Sequence, residues 1–145
     1  MKSYFAPVVA LSALVGAGIL AQAEAGKTKQ ENRCSFSDVS QSVSADTKFV
    51  AVHAFRLCEF GPFATTADEP VYLVPSDATT DEQRYTLKNL AAVINKPNNA
   101  EPRLSWRSDG SFTIGIDADW AVTWSKPVVH GHRVTIERAP ANKPG

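Results

Sequence analysis

The sequence predicts a mainly β protein: one small domain with an antiparallel sheet of hairpins, one disulfide, and room for a single short helix within residues 80–95. Three observations carry this. The C-terminal third alternates apolar and polar residues around the turn Ser108-Asp109-Gly110, a strong hairpin signal. The run Lys48–Leu57 (KFVAVHAFRL) alternates in the same way, with Phe49, Ala51, His53 and Phe55 on one parity. The two cysteines, Cys34 and Cys58, bracket that run in a chain that carries an export signal.

The export signal is read from the N-terminus. Lys2 precedes an apolar run from Phe5 to Leu20, and Ala21-Gln22-Ala23 and Ala23-Glu24-Ala25 are small-x-small cleavage sites. The run is short for a membrane span and is weakened by Pro7 and two glycines. We expect a signal peptide over 1–25, with an uncleaved anchor as the alternative. That destination is a bacterial periplasm or the extracellular space. Past Leu20 no apolar run reaches spanning length, so the mature chain is expected not to span a membrane. One disulfide closing a loop of this size stabilises by about 3 kcal/mol on the chain-entropy model. Two free buried thiols are the alternative, and export disfavours it.

In chain order, 26–33 (GKTKQENR) reads as a flexible leader and 34–138 as the β domain. Phe36–Val43 has few apolar residues, and Ser44-Ala45-Asp46-Thr47 reads as a turn. After the strand 48–57, a loop runs from Phe60 through Gly61-Pro62 to Thr66. Glu69–Pro75 is a strand bounded by prolines. Residues 76–84 are a polar connection in which Thr79-x-x-Glu82 resembles a capping box. Leu87, Leu90, Ala91 and Ile94 fit a helix, whereas Leu90, Ala92 and Ile94 fit a strand face. Strands are expected at 103–107, 111–117, 120–124 and 128–138, then a disordered tail at 139–145. Ser42–Val52 aligns without gaps with Ser105–Gly115, which suggests two hairpins in one sheet system. The expected core is Phe49, Val50, Val52, Leu73, Trp106, Phe112, Ile114, Trp124, Val134 and Ile136.

The order of these features resembles a group of small exported bacterial β domains of unknown function. The pieces that carry it are Cys34, Val39, Ser44-Ala45-Asp46-Thr47, Ala51-Val52 and Cys58, then Ala64-Thr65-Thr66 and Val71-Tyr72-Leu73-Val74-Pro75. Trp106-x-x-Asp109 and Arg133-Val134-Thr135-Ile136 complete it. The chain departs from the pattern where Thr47 replaces a turn glycine and where Glu59–Phe63 is inserted. The resemblance implies the disulfide, an antiparallel sheet and a strand rather than a helix over Leu90–Ile94. It implies no catalytic residue.

Composition excludes more than it selects. Fifteen basic and fifteen acidic residues leave no positive excess for a phosphate backbone, so nucleic acid is an unlikely partner on charge grounds. No G-x-S-x-G, P-loop or G-x-G-x-x-G motif lies in the mature part. Asp117 and Asp119 could form an acid/base pair, but solvated turn residues are the commoner origin of such spacing. No cofactor is implied and the protein is expected not to be an enzyme. The leading expectation is a non-enzymatic envelope module that binds another envelope protein or a cell-wall component. Its surface would be built from Phe60, Phe63 and Trp120. The alternative is a zinc or copper site, with His130 and His132 on one face of a strand and His53 as the third ligand.

Overall fold

A computed structural model describes residues 33–62 and 64–140. The expected signal peptide, Phe63, and most of the leader and tail lie outside the described residues. The element order is β1 (Cys34–Val43), β2 (Phe49–Phe60), β3 (Ala64–Pro75), α1 (Asp81–Arg84), β4 (Leu90–Asn95) and β5 (Arg103–Trp106). It continues with β6 (Phe112–Ile116), β7 (Ala121–Ser125), β8 (Val128–Val129) and β9 (His132–Arg138). The fold is mainly β, with Cys34 and Cys58 joined by a disulfide across the open end of the β1–β2 hairpin.

The strands form two sheets. The large one has the order β1-β2-β3-β4-β7 and is antiparallel throughout; the small one has the order β5-β6-β9-β8. β6 and β9 run parallel, because the chain leaves β6 to add β7 to the large sheet and returns through β8. The two hairpins of the internal echo therefore lie in different sheets. They meet where the Trp106 indole donates to the Ser42 carbonyl at 3.0 Å.

The large sheet is apolar on both faces. Ala51, Val71, Leu73, Ala92 and Ile94 pack against Phe112, Ile114, Ile116 and Val129 of the small sheet. On the outer face, Val52, Ala54, Tyr72, Val74, Leu90 and Val93 form a second cluster, covered in part by Phe36, Ala78 and Tyr85. β3 and β4 thus bury consecutive residues, as a strand covered on both sides must. That continuous apolar run is why 87–94 also fits a helical period. The chain resolves the ambiguity as a strand preceded by one helical turn. The turn is capped by Thr80 and Gln83, one residue later than the Thr79-x-x-Glu82 spacing suggests.

Other departures have local causes. β1 is a full strand despite its sparse apolar residues, since it lies at an edge with much of its side-chain surface in water. Phe60 and Ala64 to Thr66, expected in a loop, belong to strands, and Gly61-Pro62 form a turn in which Gly61 takes φ 70°. The expected single strand 128–138 is a hairpin. His130 and Gly131 take φ 51° and 81°, the all-positive pair that a two-residue type I′ turn needs.

Of the expected core, Val52, Leu73, Phe112 and Ile114 are fully interior. Val50, Trp106, Val134 and Ile136 pack against the core while partly exposed, and Phe49 packs on His130 and His132. The tryptophans are exchanged relative to expectation. Trp120 is buried at 2 % exposure and Trp124 is 40 % exposed. A register shift where β4 meets β7 pairs Ile94 with Val122 but Val93 with Trp124. Thr123 is the extra residue, so Val122 faces inward and Trp124 is turned to the outer face.

We expect Trp120→Ala to cost about 3–5 kcal/mol of stability and Trp124→Ala less than about 1 kcal/mol. Urea denaturation of the two variants checks the order, and equal losses would contradict the placement. Thr47, at the turn position where the resembled group has glycine, has φ 60°, a strained conformation for a β-branched residue. Thr47→Gly should therefore raise the urea midpoint, with a gain of up to about 1 kcal/mol.

Candidate functional site

The three histidines do not converge. His53 is fully buried, with Nε2 2.9 Å from Glu69 Oε2, and Lys96 Nζ meets the same oxygen at 2.9 Å. His130 lies in the β8–β9 turn. The Asn89 amide nitrogen donates to the Gln83 and Arg84 carbonyls, so Asn89 Oδ1 is left to accept from His130 Nε2 at 2.7 Å. His132 Nδ1 donates to the Gly110 carbonyl at 2.7 Å. His130 and His132 flank the Phe49 ring, at 5.4 and 4.7 Å between centroids. They are near each other, but through a turn and not as neighbours on a strand face. No group of three His, Cys, Asp or Glu among the described residues is arranged to hold a metal.

The expected aromatic surface is also redrawn. Phe60 is 56 % exposed at the β2–β3 hairpin tip, Trp120 is interior, and Phe63 is outside the described residues. Asp117 is paired with Arg103 at 3.3 Å.

The cavity with the clearest construction lies on the outer face of the large sheet, under α1 and beside the disulfide. It has a volume of about 580 Å³ and is lined by Cys34, Phe36, Arg56, Tyr72, Asp81, Glu82, Tyr85, Thr86 and Leu87. It begins with a bulge in β1. The register shifts between Asp38 and Ser40, which leaves Asp38 paired to Ala54 and Gln41 paired to Val52, both on the outer face. Asp38 then accepts hydrogen bonds from Gln41 Nε2 at 2.7 Å, Arg84 Nη2 at 2.8 Å and the Tyr85 hydroxyl. One carboxylate thus ties the end of α1 to the edge of the sheet.

The rings follow from that tie. Tyr85 stacks on Phe36 at 4.2 Å with 8° between planes, and Tyr72 meets Phe36 and Tyr85 edge-on at 6.3 and 5.3 Å. The Arg84 guanidinium lies 5.3 Å from the Tyr85 ring centre. Arg56 binds Asp68 through both nitrogens of its fork, Nε at 2.7 Å. Leu87 stands at the lip with 76 % of its surface in water. The Thr86 hydroxyl, in the cleft wall, is buried without a hydrogen-bond partner.

The titratable groups respond to this packing. Burial alone would raise the Asp38 pKa, but the bonds from Tyr85 and Arg84 outweigh it and hold the carboxyl below its ordinary value. Burial, with the Asp38 bond, pushes the Tyr85 phenol well above the usual tyrosine range, so it stays a donor. Burial holds His53 below the ordinary histidine value, against the Glu69 bond that raises it. Burial, with Lys88 nearby, lowers His130.

The sequence singles out the disulfide that bounds this cleft; Tyr72, Glu82 and Leu87 stand out only as parts of a strand, a capping box and a helical spacing, and Phe36, Asp38, Asp81 and Tyr85 carry no site signal. Only the Thr80-x-x-Gln83 spacing marks where the covering turn begins. No family model, curated protein or solved structure gives a significant match to the chain.

His53 and His130 bind a proton less readily in the folded protein than in the unfolded chain. Unfolding therefore takes up protons between their depressed pKa values and about 6.5, and stability should fall as the pH drops through that window. Asp38 acts in the same sense at lower pH, stabilising above its unfolded pKa and losing this only as the pH falls below about 4. Urea unfolding from about pH 7.5 to 4.5 should show a decline that is flattened in the His53→Gln/His130→Asn double variant. An unchanged slope would assign the decline to other groups.

Proposed function

We propose that the protein is exported, loses its N-terminal apolar segment, and acts in the bacterial periplasm or outside the cell as a non-enzymatic binding module. It grips a segment of another envelope protein in the cleft between α1 and the disulfide end of the large sheet. The observation that carries this reading is the cleft's construction: a rigid aromatic wall, held by the Asp38 hydrogen bonds, with a leucine left in water at its lip. A lone exposed leucine means little, but one bordering a cavity of this volume marks a place for another apolar group.

A polypeptide is favoured over a cell-wall sugar. Sugar binding uses an open aromatic face, and here Tyr85 lies between Phe36 and Arg84 while Tyr72 is almost wholly buried. Export is supported by the apolar run with its small-residue sites and by the disulfide. No helix among the described residues is long and apolar enough to cross a membrane.

Because Leu87 is so exposed, replacing it perturbs the fold little. A photoreactive amino acid in its place should form one discrete adduct in an envelope extract. The same group at Val128, exposed on the small sheet, should not form that adduct. Identical adducts at both positions, or none at Leu87, would rule out the cleft as the binding surface.

A further inference from the structure

We propose that the occupant of the cleft is a partner segment in which lysine or arginine flanks one apolar side chain. This rests on the binding role proposed for the cleft and adds the chemistry of its ligand. Charge complementarity supplies the argument. Asp81 and Glu82 line the cleft, and neither forms an ion pair among the described residues. The two cations beside them are committed elsewhere, Arg56 to Asp68 and Arg84 to Asp38. Among the residues that line the cleft, the two carboxylates are thus the uncompensated charges; Lys88 does not line it, and neither does Lys126, whose Nζ bonds the Leu87 carbonyl at 3.1 Å.

The cleft's other features fit the same ligand. Phe36 and Leu87 offer apolar surface for a leucine- or phenylalanine-sized group. The unpartnered Thr86 hydroxyl can bond a peptide carbonyl or amide that enters. An anionic lipid surface or a phosphate backbone would meet two carboxylates where it needs cations, so both are disfavoured. A basic apolar segment gains at both ends: its methylenes and apolar side chain cover the rings, and its charge meets the lip.

The test uses the mature chain and three acetylated, amidated probes: Gly-Lys-Leu-Lys-Gly, Gly-Ser-Leu-Ser-Gly and Gly-Glu-Leu-Glu-Gly. Binding is followed by amide chemical shifts. The lysine probe should perturb the amides of Phe36 and of Tyr85 to Leu87, and should bind more tightly than the serine probe and far more tightly than the glutamate probe. Its affinity should fall by roughly two- to fivefold for each charge removed in D81N and E82Q, and should fall with added salt. Equal binding of the lysine and serine probes would overturn the charge assignment while leaving the cleft as a binding site. Failure of the lysine probe to perturb these amides would overturn the proposal, and the Leu87 photoadduct would show separately whether the cleft binds at all. Perturbation of the same amides by raising protein concentration alone would assign the cleft to a second copy of the chain, and would also overturn it.

Discussion

β3 and β4 place apolar side chains on both faces of the large sheet, and a chain of this length must cover both. Val71 and Leu73 point one way, and Tyr72 and Val74 the other. Each such side chain contributes on the order of 1.5–3 kcal/mol if buried and loses it if left in water. The inner face is covered by a second sheet, which explains why the chain breaks its run of hairpins to send β7 back to the large sheet. Among the described residues the outer face has only 76–89 to cover it, with a four-residue helix as their one regular element. That cover spans part of the face and stops, and the cleft is the part of the outer face it leaves open.

So small a cover needs a strong attachment. A single helical turn has almost no stability of its own. It is held by the Thr80–Gln83 cap at one end and by Asp38 at the other, with Asn89 bonding back to two of its carbonyls. Bonds to a charged group are worth about 1.5–3 kcal/mol each when sheltered, less where water reaches them as it does here. Two converge from this segment on Asp38, and the Tyr85–Phe36 stack adds about 0.5–1.5 kcal/mol beyond its area. The β1 bulge makes this possible, because a regular strand would send Gln41 to the inner face and leave Asp38 with one fewer donor.

Which parts of this the sequence discloses depends on how far each signal reaches along the chain. β5 and β6 are legible because one apolar set faces one core, so alternation survives in a short window; β2 is legible from its valines and phenylalanines although Ala51 faces one core and Val52 and Ala54 the other. β4 is ambiguous because burial on both faces erases the period. β1 is hidden because an edge strand with wet side chains resembles a loop. Trp124 is misplaced because one inserted residue reverses its face, and neither Thr123 nor its neighbours mark a bulge. The β8–β9 turn is missed because His-Gly stands where Asn-Gly would announce it. The disulfide is legible from two cysteines in a chain whose N-terminus reads as an export signal. The cleft is not, since Phe36, Asp38, Tyr72 and Tyr85 come from three distant segments. Each alone reads as an ordinary strand, core or loop residue.

The cleft's rigidity bears directly on what binding there would cost. Association loses free energy whenever a loop or a rotamer-rich side chain must be ordered, about 0.5–1.5 kcal/mol per side chain immobilised. Here the wall is already ordered. Cys34 is tied to Cys58, Tyr85 is fixed by its bond to Asp38 and its stack on Phe36, and Arg56 is held by Asp68. The groups left free are the ones a ligand would contact first: Leu87 at the lip and the Asp81 and Glu82 carboxylates. A surface divided in this way retains its shape without a ligand and keeps its loose side chains where charge and apolar contact can be adjusted. That division is what the proposed capture of a polypeptide segment requires. Behind that surface Asp38 and Tyr85 are bonded to each other, and the bond lowers the carboxyl pKa and raises the phenol pKa, so the tie that fixes the wall keeps both its charge and its donor.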